Sequence, residues 1–272
     1  MVLIDSHAHV DFPQFDADRQ EVIERAQQAG LVALVNIGTN LRSSQASVDL
    51  AEAYGRASPD FIYATVGIHP HDAEKATPKA LAELRGLARH ERVVAIGEIG
   101  LDYYRDRSPR PAQRTAFQEQ LALASELELP VVVHSREAHD DTLDILSDWE
   151  GTGVLHTYAA GVEHLERVVE MGFFIGISGP VTYRSAEGLR DVVRAAPLDR
   201  LLIETDCPYL TPEPHRGRRN EPAYVRFVAQ AVAEARQEPV ERIADQTTQN
   251  ACRLFELPVN SAPREPASQG GA

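Results

Sequence analysis

Eight short apolar runs, each separated from the next by an amphipathic stretch, constrain the fold of this chain more than any other feature. The runs are rich in valine and isoleucine, as expected of strands that are covered on both faces. They span residues 2–5, 31–37, 61–66, 93–98, 130–134, 153–156, 173–177 and 201–206. Helical patterns lie between them, for example at 18–29, 44–56, 78–90, 111–127 and 223–236. The pattern predicts parallel strands that alternate with helices.

Eight strand–helix units in about 250 residues match the size of a (β/α)8 TIM barrel. The alternative is a doubly wound sheet, which usually carries a glycine-rich phosphate loop after its first strand. Here the first run leads into Ser6, His7, Ala8 and His9, without a glycine. We therefore predict an α/β fold, a single TIM barrel domain over residues 1–257. Residues 258–272 are rich in Pro, Ser, Gly and Ala and are predicted to form a disordered tail.

The composition excludes several classes of protein. Of the 272 residues, 43% are hydrophobic and 25% are charged, which is ordinary globular usage and excludes collagen and a disordered chain. No apolar run reaches 18 residues and the first residues do not resemble a secretory signal, so we expect no membrane span. Two cysteines, Cys207 and Cys252, make no disulfide framework, which favours a cytoplasmic location. We expect a monomer.

Histidines and carboxylates concentrate where the predicted strands end. His7 and His9 are two residues apart on an extended segment, so both imidazoles face the same way and can meet one cation. Glu98 and His134 each end an apolar run, where an unpaired buried charge would be costly. The strand ends together supply six candidate metal ligands: His7, His9, Glu98, His134, His156 and Asp206.

Six ligands exceed the three or four protein ligands of one zinc ion, so the set predicts two metals that share a carboxylate. Glu98 is the natural bridge. Asp206 can ligate a metal and accept a proton from water, and Glu204 is expected to lie deeper in the barrel. The mixed nitrogen and oxygen ligands suit zinc, magnesium or manganese. Cys207 has no activating base in the sequence pattern and is interpreted as packing.

Basic residues near two strand ends indicate an anionic substrate. Arg136 follows His134 by two residues, and a guanidinium matches phosphate oxygens bidentately. Arg216 lies in the basic segment 215–222, after the eighth predicted strand, where barrels often bind phosphate. The alternative is a solvated loop. The net charge of −14 excludes a general nucleic-acid coat, so any phosphate contact should be local.

The motifs together resemble the TatD family of metal-dependent deoxyribonucleases, within the wider amidohydrolase-like barrels. The matching segments are IDSHAHVDF at 4–12, VGIHPH at 66–71, IGEIGLDYY at 96–104, PVVVHSR at 130–136, LLIETDCPYLTP at 201–212 and RGRRNEP at 216–222. One departure concerns the sixth strand, after which the family usually reads His-Cys-Phe-Ser-Gly. Here residues 156–161 read HTYAAG, which keeps His156 but alters the loop.

The resemblance implies a division of the six ligands between two divalent metals. His7, His9, Glu98 and Asp206 would surround one metal, and Glu98, His134 and His156 the other. His69, Arg136 and Arg216 would face the substrate phosphate. The resemblance further implies hydrolysis of DNA phosphodiesters, often from the 3′ end of single strands, in a setting such as DNA repair.

Two other classes of function remain as alternatives at this point. A cyclic-amide hydrolase on the same barrel commonly bridges its metals with a carboxylated lysine, but the only lysines are Lys75 and Lys79. A hydrolase of nucleotide phosphoesters or of aminoacyl-tRNA is a related possibility. A non-catalytic DNA-binding module would not need six aligned ligands.

Overall fold

The computed structural model describes residues 1–55 and 60–258. Eight strands follow one another along this part of the chain. They are β1 Leu3–Ala8, β2 Leu31–Asn36, β3 Ile62–Val66, β4 Val93–Asp102, β5 Val131–Arg136, β6 Gly153–Leu155, β7 Phe174–Ile177 and β8 Leu201–Ile203. Each overlaps one of the eight apolar runs, which confirms the strands predicted from the sequence.

The strands form one parallel sheet in the order β1 to β8. The sheet closes beside β1, where the segment that follows β8 continues the backbone pairing. The amide of Asp206 donates to the carbonyl of His7 at 2.9 Å, and the amide of His9 donates to the carbonyl of Cys207 at 2.9 Å. This closure confirms the predicted (β/α)8 barrel.

Helices connect the strands and cover the outside of the barrel. They are α1 Arg19–Gln28, α2 Leu41–Gly55, α3 Pro78–Ala88, α4 Arg110–Leu127, α5 His139–Ser147, α6 Leu165–Glu170, α7 Glu187–Ala195, α8 Val225–Arg236 and α9 Val240–Phe255. Thr77 begins α3 because its hydroxyl accepts a hydrogen bond from the amide of Ala80 at 3.2 Å, and Pro78 supplies a preset φ at the first position. In residues 1–55 and 60–258, no helix combines the length and apolarity needed to cross a membrane.

Two clusters of buried apolar side chains stabilise the barrel. The larger cluster joins strand residues to the inward faces of the helices, including Val22 and Ile23 of α1 and Val228 of α8. The smaller cluster contains alternate strand residues together with Leu254 and Phe255, so the end of α9 packs on the barrel interior. With both faces of the sheet covered by apolar contacts, the strand ends carry the polar chemistry.

Several strand ends differ from the sequence prediction, and β1 runs on to Ala8. β4 runs to Asp102 and β5 to Arg136, because these strands stay paired beyond Glu98 and His134, as far as Asp102 opposite Arg136. β8 ends at Ile203, so Asp206 lies in the following loop. The predicted tail at 258–272 lies outside the described residues, Pro258 excepted, and the domain boundary at residue 257 stays a prediction.

Candidate metal centre

A pit of about 870 Å³ opens at the carboxyl ends of the strands. Histidines and carboxylates form its floor, and arginines and aromatic side chains stand at its rim. The side chains that line it include His9, His69, Glu98, His134, His156 and Asp206. The residues chosen from the sequence as candidate metal ligands therefore converge on one place, although they come from five strands or their ends.

One side of the floor consists of His7, His9, Glu98 and Asp206. The Nε2 atoms of His7 and His9 lie 3.2 Å apart. Asp206 Oδ1 lies 3.6 Å from His7 Nε2 and 3.4 Å from His9 Nε2. Glu98 completes this group through Oε2, which is 3.7 Å from His7 Nε2. The imidazoles of His7 and His9 thus converge on one place, as their i, i+2 spacing predicts.

The other side consists of His134, His156 and His69 around the second oxygen of Glu98. Oε1 lies 2.9 Å from Nδ1 of His134 and 2.9 Å from Nε2 of His156. The same oxygen is 3.4 Å from Nε2 of His69. The two carboxylate oxygens of Glu98 therefore face two different groups of nitrogen atoms, as a bridging carboxylate would.

The separations between the donor atoms match those expected around a divalent cation. Ligands at 2.0–2.1 Å from a tetrahedral zinc ion lie about 3.3 Å apart, which is close to the separations within each group. His9 Nδ1 lies 3.1 Å from the carbonyl of Ile37, which can only accept, so in the neutral ring Nε2 carries a lone pair toward His7. Three sets of side chains have ligand atoms within 4.8 Å of one another: His7, His156 and Asp206; His7, His9 and Glu98; and His69, Glu98 and His134.

The electrostatics of the pit divide its histidines into two kinds. Burial lowers the pKa of His7 well below its ordinary value and lowers that of His69 to about 4, so both rings are neutral at pH 7. Burial alone would raise the pKa of Glu98, but His156, His69 and His134 hold that pKa well below its ordinary value. The other three histidines have raised pKa values. Burial alone would lower the pKa of His9, His134 and His156, but the neighbouring carboxylates more than offset burial and raise all three pKa values. A bound metal would displace protons from these rings, because its ligands must be deprotonated.

Buried carboxylates stand behind two of the histidines. Glu204 is fully buried, and its Oε1 lies 3.5 Å from Nδ1 of His156. The same oxygen accepts hydrogen bonds from the amide and hydroxyl of Thr157, at 2.5 and 2.9 Å. Glu204 therefore lies deeper than Asp206, as predicted, with its carboxylate beside His156 and outside the lining of the pit. Cys207 is also fully buried, and burial raises the pKa of its thiol well above the ordinary value.

Asp102 plays the corresponding part beside His134, and the sequence analysis did not assign it a role. Its Oδ2 lies 3.3 Å from Nε2 of His134 and 2.8 Å from Nε2 of His71. Burial would raise the pKa of Asp102, but the hydrogen bonds from His134, Arg105 and His71 hold it below its ordinary value. Strand alternation from Glu98 through residue 100 to Asp102 was the available signal.

The cationic rim differs in part from the predicted one. Arg136 lines the pit as expected, and Arg105 and Arg107, which the sequence analysis passed over, line it as well. Arg216 is not among the side chains that line the pit, and its guanidinium lies over the ring of Tyr183, 4.3 Å from the ring centroid. The loop after β8 therefore holds Arg216 against an aromatic ring, and its predicted contact with phosphate has no support in the lining of the pit.

Two exposed aromatic side chains stand at the mouth of the pit. Tyr104 is 58% exposed and lies under the guanidinium of Arg136, 4.1 Å from ring centroid to guanidinium carbon. Tyr209 is 50% exposed, lines the pit and contacts Phe12 edge to face. Both rings are thus open to solvent next to the pit, and no pattern in the sequence had pointed to them.

A barrel with this pit at its carboxyl ends defines the class of metal-dependent hydrolases. The family model described as TatD related DNase matches residues 4–256, and the chain belongs to this family. The chain is therefore a hydrolase of the metal-dependent deoxyribonuclease family, as the sequence resemblance implied.

Individual relatives agree with the family assignment. The chain is 44% identical over 260 residues to the "Uncharacterized metal-dependent hydrolase YabD" of Bacillus subtilis, covering 94% of this chain and 100% of that protein. It is 41% identical over 263 residues to the "3'-5' ssDNA/RNA exonuclease TatD" of Erwinia tasmaniensis, with coverage of 94% and 100%. The crystal structure of the TatD homologue YjjV from Escherichia coli K12 superposes with a TM-score of 0.87 at 35% identity, covering 94% and 98%.

Proposed function

We propose that this chain removes nucleotides from the 3′ end of single-stranded DNA, by hydrolysis of phosphodiester bonds with two divalent metals. The observation that carries the proposal is the arrangement of Glu98, whose two oxygens face two separate groups of nitrogen ligands. A relative that is 41% identical is named a 3′-5′ exonuclease of single-stranded DNA and RNA, which supports the polarity and the substrate class.

Each metal would take one side of the pit. His7, His9, Glu98 and Asp206 would hold one metal, and Glu98, His134 and His156 would hold the other. His69 is close enough to Glu98 to approach the second metal or the phosphate on it. The donor set suits zinc, manganese or magnesium. When bound, the two metals lower the pKa of water and neutralise the charge that develops on the phosphate oxygens.

The side chains of the floor can accept the proton of the attacking water and orient the metal ligands. Asp206 has its carboxylate at the pit and is only partly buried, so it can accept the proton of the attacking water. Glu98 cannot serve as that base while both of its oxygens are engaged. Asp102 holds the ring of His134 in the orientation in which its pit-facing nitrogen can carry a lone pair, and the carboxylate of Glu204 lies 3.5 Å from the ring of His156.

The arginines of the rim hold the phosphates of the strand. Arg105, Arg107 and Arg136 line the pit in a chain whose net charge is −14, so the positive charge is local to the site. These guanidinium groups can neutralise the phosphate oxygens that the metals do not reach. The acidic remainder of the surface repels a long duplex, which is consistent with binding at strand ends.

The exposed aromatic rings favour unpaired bases. Tyr104 and Tyr209 stand at the mouth of the pit, and stacking on such rings is available only to bases that are free of a duplex. The lysines that a carboxylated bridge would require do not line the pit, since Lys75 pairs with Asp72 and Lys79 lies near Glu83, both with exposed side chains. A cyclic-amide hydrolase with a carboxylated-lysine bridge is therefore disfavoured.

The experiment incubates the protein with 5′-labelled single-stranded DNA, with and without Mg²⁺ or Mn²⁺. We expect a metal-dependent ladder that shortens from the 3′ end, and we expect Glu98→Ala to abolish it. Glu83→Ala, on the exposed face of α3, is the matched control and should leave the ladder unchanged. Near-normal cleavage by Glu98→Ala would overturn the two-metal site. Absence of DNA cleavage with every metal would overturn the proposal that DNA is the substrate. Nucleotide esters and cyclic amides would then be tested.

A further inference from the structure

A second cavity, of about 550 Å³, opens beside the metal pit. Thr157, Ala159 and Pro180 line both cavities, so the two spaces adjoin at this wall. The volume falls within the range of ordinary small-ligand sites. Its own wall comes from the loop after β6, the segment after β7 and the first turns of α7.

The loop after β6 is fixed in place by hydrogen bonds. The hydroxyl of Tyr158 donates to the carbonyl of Gly161 at 2.9 Å, and the amide of Tyr158 donates to the carbonyl of Gly176 at 2.9 Å. Thr157 is tied to buried Glu204. This is the loop in which the sequence departs from the usual family pattern, so the wall between the two cavities is a feature of this chain.

The chemistry of the second cavity suits a neutral ring and not a phosphate. Val162, Leu189 and Val192 give it apolar surface, and Val162 is 44% exposed there. Neither lysine nor arginine is among the described side chains that line it. Two carboxyl groups belong to its lining. Asp191 is already paired with Arg194 at 2.6 Å, so Glu163 is the carboxylate that would repel an anion and accept hydrogen bonds from amino groups.

A buried polar group also points to a ligand. Ser178 lines the second cavity and is 1% exposed, and its hydroxyl has no hydrogen-bond partner within the part of the chain that the structure describes. A buried hydroxyl without a partner is costly, so such a group usually meets a ligand or a water molecule. An aromatic heterocycle with polar edges would satisfy this hydroxyl and cover the apolar wall together.

We propose that the second cavity is a nucleobase subsite. It receives one base of the strand whose phosphodiester lies in the metal pit, and it favours bases with an exocyclic amino group, namely adenine, cytosine and guanine. The proposal rests on the proposed function, because the pit must hold nucleic acid for the neighbouring cavity to hold a base. The wall shared through Thr157, Ala159 and Pro180 places a base and its phosphate in adjoining spaces.

The test places a large side chain at the second cavity and leaves the residues of the pit unchanged. Gly188 lies in the second cavity near the start of α7, and a Cβ added there meets no atom within 4 Å. Gly188→Phe therefore adds a phenyl ring at the wall of the subsite without a clash at its Cβ. Gly86→Phe is the matched control, since Gly86 is also helical and exposed, has equally open space and lines neither cavity. Ser178→Ala tests the hydroxyl separately.

Two kinds of substrate distinguish contacts to a base from contacts to the backbone. The first is a normal single strand. The second is a set of strands, each with an abasic site at one of the last three positions. We expect Gly188→Phe to raise KM for the normal strand about tenfold, the order that loss of one base contact gives. For one of the abasic strands, the wild-type protein should bind weakly. Its affinity for that strand should equal the affinity of Gly188→Phe for the normal strand. That abasic strand should show no further loss with the variant.

Fluorescence anisotropy of the same strands in EDTA gives a readout that needs no turnover. If the wild-type protein does not cleave DNA but binds it with the same dependence on Gly188 and on one base, the proposed function fails and the subsite stands. If the wild-type protein cleaves DNA and Gly188→Phe matches Gly86→Phe on every strand, the subsite is overturned while the nuclease stands. Absence of any base-dependent binding also overturns the subsite.

Discussion

Nε2 of His134 lies 3.3 Å from Oδ2 of Asp102, on the side of the imidazole ring opposite the nitrogen that faces Glu98. The same carboxylate oxygen lies 2.8 Å from Nε2 of His71. Asp102 is 1% exposed, so water does not compete for it. The carboxylate therefore fixes both the tautomer and the orientation of His134, which leaves Nδ1 free to bind a cation.

Asp102→Asn should weaken metal binding on the His134 side of the pit about tenfold or more, since an amide orients an imidazole less firmly than a carboxylate does. The measurement is a calorimetric titration of the metal-free protein with Mn²⁺ or Zn²⁺. Asp141→Asn is the control, because Asp141 pairs with Arg114 and does not line the pit. Unchanged affinity and stoichiometry in Asp102→Asn would contradict the positioning role.

Metal binding should stabilise the fold, because the bound cation offsets the mutual repulsion of neighbouring carboxylates and satisfies the convergent nitrogens. A metal at one hundred times its Kd adds about 2.7 kcal/mol to the free energy of unfolding. For a chain of this size the Tm should rise by at least about 5 °C, as measured by calorimetry.

The Glu98→Ala variant should lose most of that rise in Tm, because Glu98 contacts both groups of ligands. Glu83→Ala should keep it. A full metal-dependent rise in the Glu98→Ala protein would show that the cation binds somewhere other than the pit.

Arg136→Ala should weaken the binding of single-stranded DNA and make that binding less sensitive to salt. Each phosphate that is no longer neutralised lowers the slope of log affinity against log salt by about 0.7 for a single strand. Anisotropy titrations over a range of NaCl concentrations measure this slope. Arg85→Ala, which removes a guanidinium paired with Glu126 away from the pit, should keep the wild-type slope. An equal slope for Arg136→Ala would remove Arg136 from the phosphate contacts.

Asp18 should stabilise the fold at neutral pH and not in acid. Both of its carboxylate oxygens accept hydrogen bonds from Arg219 at 2.7 Å, and this contact lowers the pKa of Asp18 in the folded state. A lowered carboxyl pKa contributes stability that is fully present above the unfolded pKa, near 4, and is lost as the pH falls through the folded pKa.

We therefore expect Asp18→Asn to cost up to about 1 kcal/mol at pH 7, since the pair is partly exposed, and less at pH 3. Urea unfolding at both pH values measures the difference. In an Arg219→Ala background the substitution should cost less at pH 7, because only the longer contact of Asp18 with Arg25 at 3.4 Å remains. A cost that is independent of pH would contradict the pairing.

The strand–helix alternation and the six clustered ligands were readable from the sequence because both follow from local rules. A strand covered on both faces requires a continuous apolar run, and its carboxyl end is the place where a polar residue can first face the solvent. His7 and His9 converge for a similarly local reason, because side chains two apart on an extended segment share a face.

The side chains at the rim of the pit were harder to predict from the sequence. Arg216 was expected at the phosphate from its place after the last strand, yet the fold holds it over Tyr183, while Arg105 and Arg107 line the pit instead. Loop residues have no periodicity that fixes their direction, and a long arginine side chain takes whichever partner the packed loop offers.

The sequence by itself determined the (β/α)8 barrel and the residues that meet at the ends of its strands, since the period of its apolar runs and the spacing of its polar residues are local properties. Only the tertiary structure decided which atoms of Glu98 face which histidines, that Asp102 and Glu204 stand behind His134 and His156, and that a second cavity adjoins the pit. Those relations join segments far apart in the chain, and they arise from the closure of the barrel and the packing of its loops.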